Sequence, residues 1–136
     1  FCAEYCGTKH SEMLADVVVH PSGEFERWLE NAASFMDQLS PVEAGKVLYE
    51  RRGCAQCHSL DGSAKVGPTF AQLFGSMQTM TDGEVVNVDE NYLRESILEP
   101  QAKIRSGYKP VMPTYQGQLK DDEINALISF IKSLGD

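Results

Sequence analysis

The sequence lacks three features that would assign it to large classes of protein. No uncharged apolar run approaches the roughly 18–20 residues of a membrane helix, so we expect no spanning segment in these 136 residues. Basic residues are not in excess: 20 acidic side chains against 12 lysines and arginines give a net charge of −8. This balance argues against nucleic acid as a partner, because phosphate binding needs a concentrated basic surface. Internal repeats are also missing, and the 42% hydrophobic content is typical of one small globular domain with an attachment.

The acidic charge is concentrated near the start of the chain. Residues 1–39 hold 7 acids and 2 bases, whereas residues 40–136 hold 13 acids and 10 bases. The larger part is therefore only mildly acidic, and we expect its partner to be a protein. The chain opens on Phe-Cys rather than Met and carries no signal peptide, so we interpret it as a piece of a longer chain.

The first part of the chain is predicted to contain a strand and a connector helix. Residues 15–19, A-D-V-V-V, have the β-branched composition of a brief strand. Ser22 can then cap a helix that runs to about Leu39, because apolar residues recur along it at helical spacing. We therefore separate an N-terminal segment, residues 1–20, from a connector helix, residues 21–39.

A compact helical domain is predicted to begin at Ser40. Ser40, Pro41 and Glu43 fit the N-cap, the first helical position and the capping-box partner of a helix that ends near Arg52. We assign residues 40–136 to this domain.

Three further elements of this domain follow from turn and cap residues. They are a small hairpin over residues 77–88 around Asp82-Gly83, a helix from the cap Asp89 through about Leu98, and a last helix over about Asp121–Leu134 that ends at Gly135. The predicted fold class is mainly α.

Four cysteines occur as two pairs, Cys2/Cys6 and Cys54/Cys57, which in a small chain could be disulfides, metal ligands or haem anchors. The histidine that follows the second pair favours haem attachment over a disulfide or another metal site. In Cys54-Ala55-Gln56-Cys57-His58 each thiol can form a thioether to a haem vinyl group while the imidazole reaches the iron. A zinc site would need a second ligand pair, and a dithiol redox site would need a βαβ context. We therefore predict one covalent haem c.

A haem iron that transfers electrons is expected to have a sixth ligand, and methionine is a soft, neutral donor that favours ferrous iron. Met77, Met80 and Met112 are the candidates. Met112 lies between Pro110 and Pro113, which stiffen the loop. We predict Met112 as the ligand, Met77 and Met80 as packing residues, and His20 as a competing ligand.

These motifs together resemble a class I cytochrome c domain over about residues 40–136. The resemblance is carried by G-K-V-L-Y-E-R-R-G-C-A-Q-C-H, V-G-P-T-F, P-V-M-P and L-I-S-F-I. It implies a class I cytochrome c fold, with helices packed around a covalent haem. It implies that the first and last helices of the domain cross, with Gly45 and Tyr49 against Leu127, Phe130 and Ile131. It also implies that the carbonyl of Pro68 orients the proximal histidine. The candidates to bind the haem propionates are Tyr92, Arg105 and Tyr108.

The N-terminal segment has a resemblance of its own. C-A-E-Y-C-G-T-K-H-S-E-M over residues 2–13 resembles the dinuclear copper loop of cytochrome oxidase subunit II. The resemblance implies these copper ligands: the thiols of Cys2 and Cys6, the side chains of His10 and Met13, and the carbonyl of Glu4. That family needs a further histidine far upstream, and only Phe1 precedes Cys2, so we expect no complete copper centre in these residues. An adventitious metal site or a Cys2–Cys6 disulfide remains the alternative.

The chain as a whole is thus similar to the C-terminal part of a caa-type oxidase subunit II. This resemblance implies an electron-transfer domain that accepts electrons from a small cytochrome or another soluble metalloprotein. It would pass them to the dinuclear copper centre of a haem-copper oxygen reductase, beside the copper domain and the other oxidase subunits. The domain would lie at the outer face of a bacterial cytoplasmic membrane. Only segments upstream of these residues would contact the membrane.

Docking of the donor is expected at the exposed haem edge, on Ala55, Gln56, Val111 and Pro113. Because the domain is nearly neutral, we expect this docking to be mainly apolar and to change little with salt.

Two other functions stay open at this point. A haem c sensor or peroxidase-like domain would have a labile sixth ligand in place of a firmly bound Met112. An assembly module would carry a haem with no redox partner.

Overall fold

A computed structural model of the chain describes residues 16–33 and 35–135. The chain separates into two compact units, one that ends at Ser34 and one that begins at Phe35. None of the described helices is long and apolar enough to cross a membrane.

The first unit contains one described helix, α1, over Glu24–Ala33. The chain enters it through a turn in which Gly23 has φ +79°, a left-handed conformation that a helix cannot include, so α1 begins after Gly23 and not at Ser22. The rest of the predicted connector helix is helical wherever it is described: a second helical stretch, α2, covers Phe35–Gln38 in the second unit, and Ser34 lies outside the described residues.

The predicted strand over residues 15–19 is not found in its described part, residues 16–19. A strand requires a hydrogen-bonded neighbour, and within the described ranges no segment pairs with these residues. Val17, Val18 and Val19 are instead 90%, 70% and 88% exposed.

The first long helix of the second unit, α3, covers Pro41–Arg51. Its start is stabilised by the predicted capping box: Glu43 N donates to Ser40 Oγ at 3.3 Å, and the Glu43 carboxylate accepts from Ser40 N at 3.0 Å. After α3, Gly53 adopts φ +77° and turns the chain into a single helical turn, α4, over Cys54–Cys57.

The middle of this unit contains a hairpin and a helix at the predicted places. Strands β1 (Met77–Thr79) and β2 (Val85–Asn87) pair antiparallel, with Gln78 opposite Val86, and Gly83 supplies the positive φ of +90° in the connecting turn. The helix α5 follows over Glu90–Leu98, capped by Asp89, whose carboxylate accepts from Tyr92 N at 2.8 Å.

The last helix, α6, covers Asp121–Lys132 with Ser133 as its C-cap, so it ends before the predicted Leu134 and Gly135. It crosses α3, and the two helices share the core of this unit. At the crossing Gly45 lies against α6 so closely that a Cβ on it would be 2.0 Å from Ala126 O and 2.6 Å from Phe130 Cβ. The predicted meeting of the first and last helices of the domain is therefore present, and Tyr49 packs on Phe130 with ring centroids 5.7 Å apart.

Replacing Gly45 by alanine should destabilise the domain, because the added methyl group overlaps the backbone of α6, which cannot move aside as a side chain can. We expect the free energy of unfolding to fall by about 2 kcal/mol or more, measured by denaturant unfolding of the haem-loaded protein. Gly135→Ala is the matched control, because its Cβ would meet nothing closer than Lys132 O at 3.4 Å. Equal losses in the two variants would contradict the close crossing.

Candidate haem-binding site

A cavity of about 630 Å³ lies in the second unit beside the α4 turn. Its lining is mostly apolar and comes from four helices and two connecting segments: the end of α3, α4, the segment 66–73, α5, the segment 100–115 and α6. A mostly apolar cavity of about 300–1,000 Å³ with a few polar groups is what a cofactor requires. The residues that face it decide which cofactor fits.

The α4 turn brings the three residues of the C-A-Q-C-H motif together on the wall of this cavity. Cys54 and Cys57 are three positions apart on one helical turn and therefore project to the same side. His58 follows directly, with its N–H bonded to Cys54 O at 2.9 Å. Both thiols are half-buried and are not joined to each other. This arrangement fits two thioether bonds and one imidazole ligand.

The imidazole of His58 is held by groups on several sides. Its Nδ1 lies 2.7 Å from Pro68 O, and because a carbonyl oxygen only accepts, Nδ1 must carry the proton. The other nitrogen, Nε2, keeps its lone pair, which is the form that binds a metal ion. Phe70 stacks on the ring with centroids 4.5 Å apart, and a Cβ on Gly67 would lie 2.7 Å from the ring.

The backbone of His58 is tied down as well. Tyr49 Oη donates to His58 O at 2.6 Å in the core, and Gly67 N donates to Cys57 O at 2.8 Å. Burial raises the pKa of Tyr49, so this phenol stays protonated and remains a donor. Burial also lowers the pKa of His58, with Lys65 acting in the same direction, and raises the pKa of the Cys54 thiol.

Met112 lies on the cavity lining in the loop that follows α5. The loop is fastened on both sides of it: Gln101 Nε2 donates to Met112 O at 3.4 Å, and Thr114 Oγ1 donates to Leu98 O at 2.6 Å. The thioether therefore belongs to the same cavity as the C-A-Q-C-H turn, on a loop attached to the end of α5.

The other candidate ligands lie elsewhere. Met80 is 2% exposed and its sulfur accepts from Tyr92 Oη at 3.9 Å, whereas Met77 is 62% exposed on β1. Neither is part of the cavity lining. His20 is in the first unit, where its ring stacks on Trp28 with centroids 5.6 Å apart.

The three propionate candidates, Tyr92, Arg105 and Tyr108, all line the cavity. The guanidinium of Arg105 lies 5.5 Å from the ring centroid of Tyr108, so this charge and this phenol form one polar corner. Tyr92 is engaged with Met80 as described above.

Every charged side chain on the described lining is basic, which the sequence analysis did not predict. They are Arg51, Arg52, Lys103, Arg105 and Lys109. Arg52 pairs with Glu123 at 2.6 Å and Lys103 with Glu95 at 2.8 Å. Within the described residues the other three have no carboxylate partner. The charged side chains of the lining are thus all cationic, in a chain whose net charge is −8.

The proposed copper ligands, Cys2, Glu4, Cys6, His10 and Met13, lie outside the described residues. Sequence reasoning gave no role of its own to Phe70, which ends the V-G-P-T-F motif and stacks on His58, or to Ser96, which lines the cavity. Gly67 could have been recognised, because a glycine beside a ligand-orienting segment often marks a close approach. Ser96 carried no such signal.

The comparisons with known proteins agree with this site. Residues 42–135 match the family model for cytochrome c, so the chain belongs to the cytochrome c family and is an electron-transfer domain with a covalent haem c. More particularly, the chain is 30% identical to cytochrome c oxidase subunit 2 of Alkalihalophilus pseudofirmus, over an alignment of 136 residues. That alignment covers 98% of this chain and 38% of the relative, so the chain spans well under half of that protein's length. The predicted resemblance to a subunit II cytochrome c domain is confirmed.

Removing the Tyr49 hydroxyl should cost stability, because the buried carbonyl of His58 would lose its donor. We expect Tyr49→Phe to lower the free energy of unfolding by about 1–3 kcal/mol, measured by thermal and denaturant unfolding. Tyr115→Phe serves as the control, since the hydroxyl of this half-buried residue donates at 2.9 Å to the carbonyl of Arg52, an exposed residue that water can reach. A loss for Tyr115→Phe equal to that for Tyr49→Phe would contradict this assignment.

Proposed function

We propose that this domain carries single electrons between a donor protein and the dinuclear copper centre of a haem-copper oxygen reductase. One observation carries the proposal: the C-A-Q-C-H turn and Met112 line one apolar cavity. The haem supplies the one-electron chemistry of its iron. The chain supplies attachment, orientation and exclusion of water.

Each residue of the site has a proposed role. Cys54 and Cys57 would hold the haem through thioethers, and His58 and Met112 would ligate its iron. Pro68 orients the proximal imidazole through its carbonyl. Arg105 and Tyr108, with Tyr92 beside them, bind the propionates. With the haem bound, the imidazole of His58 and the soft thioether of Met112 would both ligate the iron, and the thioether would favour its ferrous state.

The acceptor and the location follow from the similarity to an oxidase subunit. We infer that residues 1–20 belong to a copper domain, with Cys2, Glu4, Cys6, His10 and Met13 as copper ligands in a full-length protein. Residues 21–39 then connect that domain to the cytochrome c domain of residues 40–136. The whole would act on the outer face of a bacterial cytoplasmic membrane, beside the other oxidase subunits.

Replacing Met112 by alanine should convert a low-spin haem to a high-spin haem, because the iron loses its sixth ligand. Visible and near-infrared spectra in both oxidation states measure this, through loss of the weak methionine-to-ferric-iron band. Met80→Ala is the control and should keep the band, since Met80 does not line the cavity. A wild-type protein that is high-spin, or that lacks the band, would favour the sensor or peroxidase-like alternative.

The cationic lining argues for a docking surface different from the apolar one that the sequence analysis predicts. Arg51 and Lys109 are exposed and lie at the cavity with no carboxylate partner in the described part of the chain. Charges within about 8 Å, one Debye length at physiological salt, dominate the field at the haem edge. We therefore infer that the donor approaches this edge with an acidic patch.

Small charged oxidants can test this local charge without knowledge of the donor. Oxidation of the reduced domain by anionic ferricyanide should slow severalfold between roughly 0.1 M and 1 M ionic strength, a range in which the Debye length falls from about 10 Å to about 3 Å. The net charge of −8 alone would give the opposite trend. Lys109→Gln should weaken the salt dependence, whereas Lys46→Gln, an exposed change away from the cavity, should leave it unchanged. A rate that rises with salt would contradict a cationic edge.

A further inference from the structure

Tyr115 joins the loop that carries Met112 to the turn that carries Cys54. Its hydroxyl donates to Arg52 O at 2.9 Å, although the two residues are 63 positions apart in the sequence. Arg52 is the C-cap of α3, and only Gly53 separates it from Cys54. The same hydroxyl lies beside the Cys54 thiol, and both residues line the haem cavity. One side chain therefore bridges the segment of the proposed sixth ligand and the segment that attaches the haem.

The backbone of Tyr115 is fixed on two further sides. Its N–H donates to Ile97 O in α5 at 3.2 Å, and its carbonyl accepts from Gln118 N at 3.0 Å and from Leu119 N at 3.2 Å. Its ring packs against the core of the second unit. Tyr115 is therefore a fixed point in a long segment, residues 99–120, in which no helix or strand is described.

The stretch around Met112 is held more weakly than Tyr115. Residues 109–111, 113 and 114 are exposed, whereas Met112 is half-buried. The hydrogen bond from Gln101 Nε2 to Met112 O is 3.4 Å long, beyond the usual range of about 2.7–3.2 Å. The position of the Met112 thioether therefore depends on anchors farther along the loop, and Tyr115 is an anchor that reaches the attachment turn.

A weakly held thioether is most easily lost from ferric iron. The methionine sulfur is a soft donor that favours the ferrous state, so its bond to ferric iron is the weaker one. Loop segments open locally at free energies well below that of global unfolding. A hydrogen bond that is present in the closed loop and broken in the open loop makes this opening less favourable. The bond from Tyr115 to Arg52 can act in this way, since Arg52 adjoins the turn that holds the haem.

We propose that the Tyr115 hydroxyl keeps Met112 on the haem iron by tying the Met112 loop to Arg52 O, and that this bond breaks when Met112 leaves the iron. This inference rests on the proposed role of Met112 as sixth ligand. Tyr115 acts through the loop and is therefore a positioning residue. Burial raises the pKa of Tyr115, so its phenol stays protonated and remains a donor. By opposing the opening of the loop, the bond favours an electron carrier over a domain that binds external ligands.

Imidazole binding to the haem-loaded ferric domain measures how readily Met112 is displaced, because imidazole reaches the iron only where Met112 has left it. In mildly alkaline solution imidazole is neutral, so the basic lining neither attracts nor repels it. Tyr115→Phe should raise the affinity for imidazole by about two- to fivefold, the lower part of the range for one hydrogen bond, because water can reach Arg52 O in the variant. The methionine band should remain in the absence of imidazole.

Ser129→Ala is the matched control for this measurement. It also removes a hydroxyl that donates to a backbone carbonyl, Asn125 O at 2.8 Å, but it lies on α6 outside the cavity lining. It should leave the affinity for imidazole unchanged. A second measurement needs no variant: proton NMR of the ferric wild type should show a Tyr115 hydroxyl proton that exchanges slowly with water without imidazole and faster in the imidazole complex.

The inference and the proposed function fail on different results. If the wild type shows the methionine band but Tyr115→Phe binds imidazole with wild-type affinity, the bond persists in the open loop and Tyr115 has only a structural role. A hydroxyl proton that exchanges equally slowly in the imidazole complex leads to the same conclusion. A wild type without the methionine band overturns the ligand assignment and the role of Tyr115 together.

Discussion

The crossing of α3 over α6 at Gly45 is the contact on which the rest of the second unit depends. Because Gly45 has no side chain, Ala126 O and Phe130 approach the backbone of α3 directly. Leu48 and Ile124, each 1% exposed, then close the core around the crossing. Only Arg52 and Gly53 separate α3 from the C-A-Q-C-H turn, so the crossing also sets where the two thiols and the imidazole lie. A change in the angle between these helices would move the site as a rigid extension of α3.

His58 is also held by residues close to it in the fold. Its carbonyl is bonded to Tyr49 on α3, and its ring is bonded to Pro68 O and covered by Phe70. The orientation of the ring is therefore set by packing and hydrogen bonds of the chain itself and does not depend on the iron. A ligand fixed in this way needs little rearrangement when the iron changes its oxidation state, which is what rapid electron transfer requires.

Sequence reasoning succeeded where local chemistry determines structure and failed where long-range contacts do. The capping box at Ser40, the Asp82-Gly83 turn and the Asp89 cap predicted their elements because each bond involved lies within a few residues. Residues 16–19 were wrongly assigned because β-branched composition cannot supply a partner strand. The helix predicted from the cap Ser22 begins only at Glu24, because apolar spacing does not reveal the left-handed conformation of Gly23. Likewise, the motif predicted which residues bind haem, but only the fold reveals that Ser96 is unpaired beside them.

Net charge is the clearest example of a property that the sequence alone misrepresents. A value of −8 describes the field far from the protein, yet salt screens interactions beyond about 8 Å, so a docking partner responds to the charges around the haem edge. There the described lining holds basic side chains and no acidic ones. Glu123 and Glu95 lie next to the lining, paired with Arg52 and Lys103, whereas Asp121 and Asp122 lie in the first turn of α6, where they interact favourably with the helix dipole. A local group of unpaired basic side chains, such as Arg51 and Lys109, can orient an acidic partner during encounter even when the net charges of the two proteins repel.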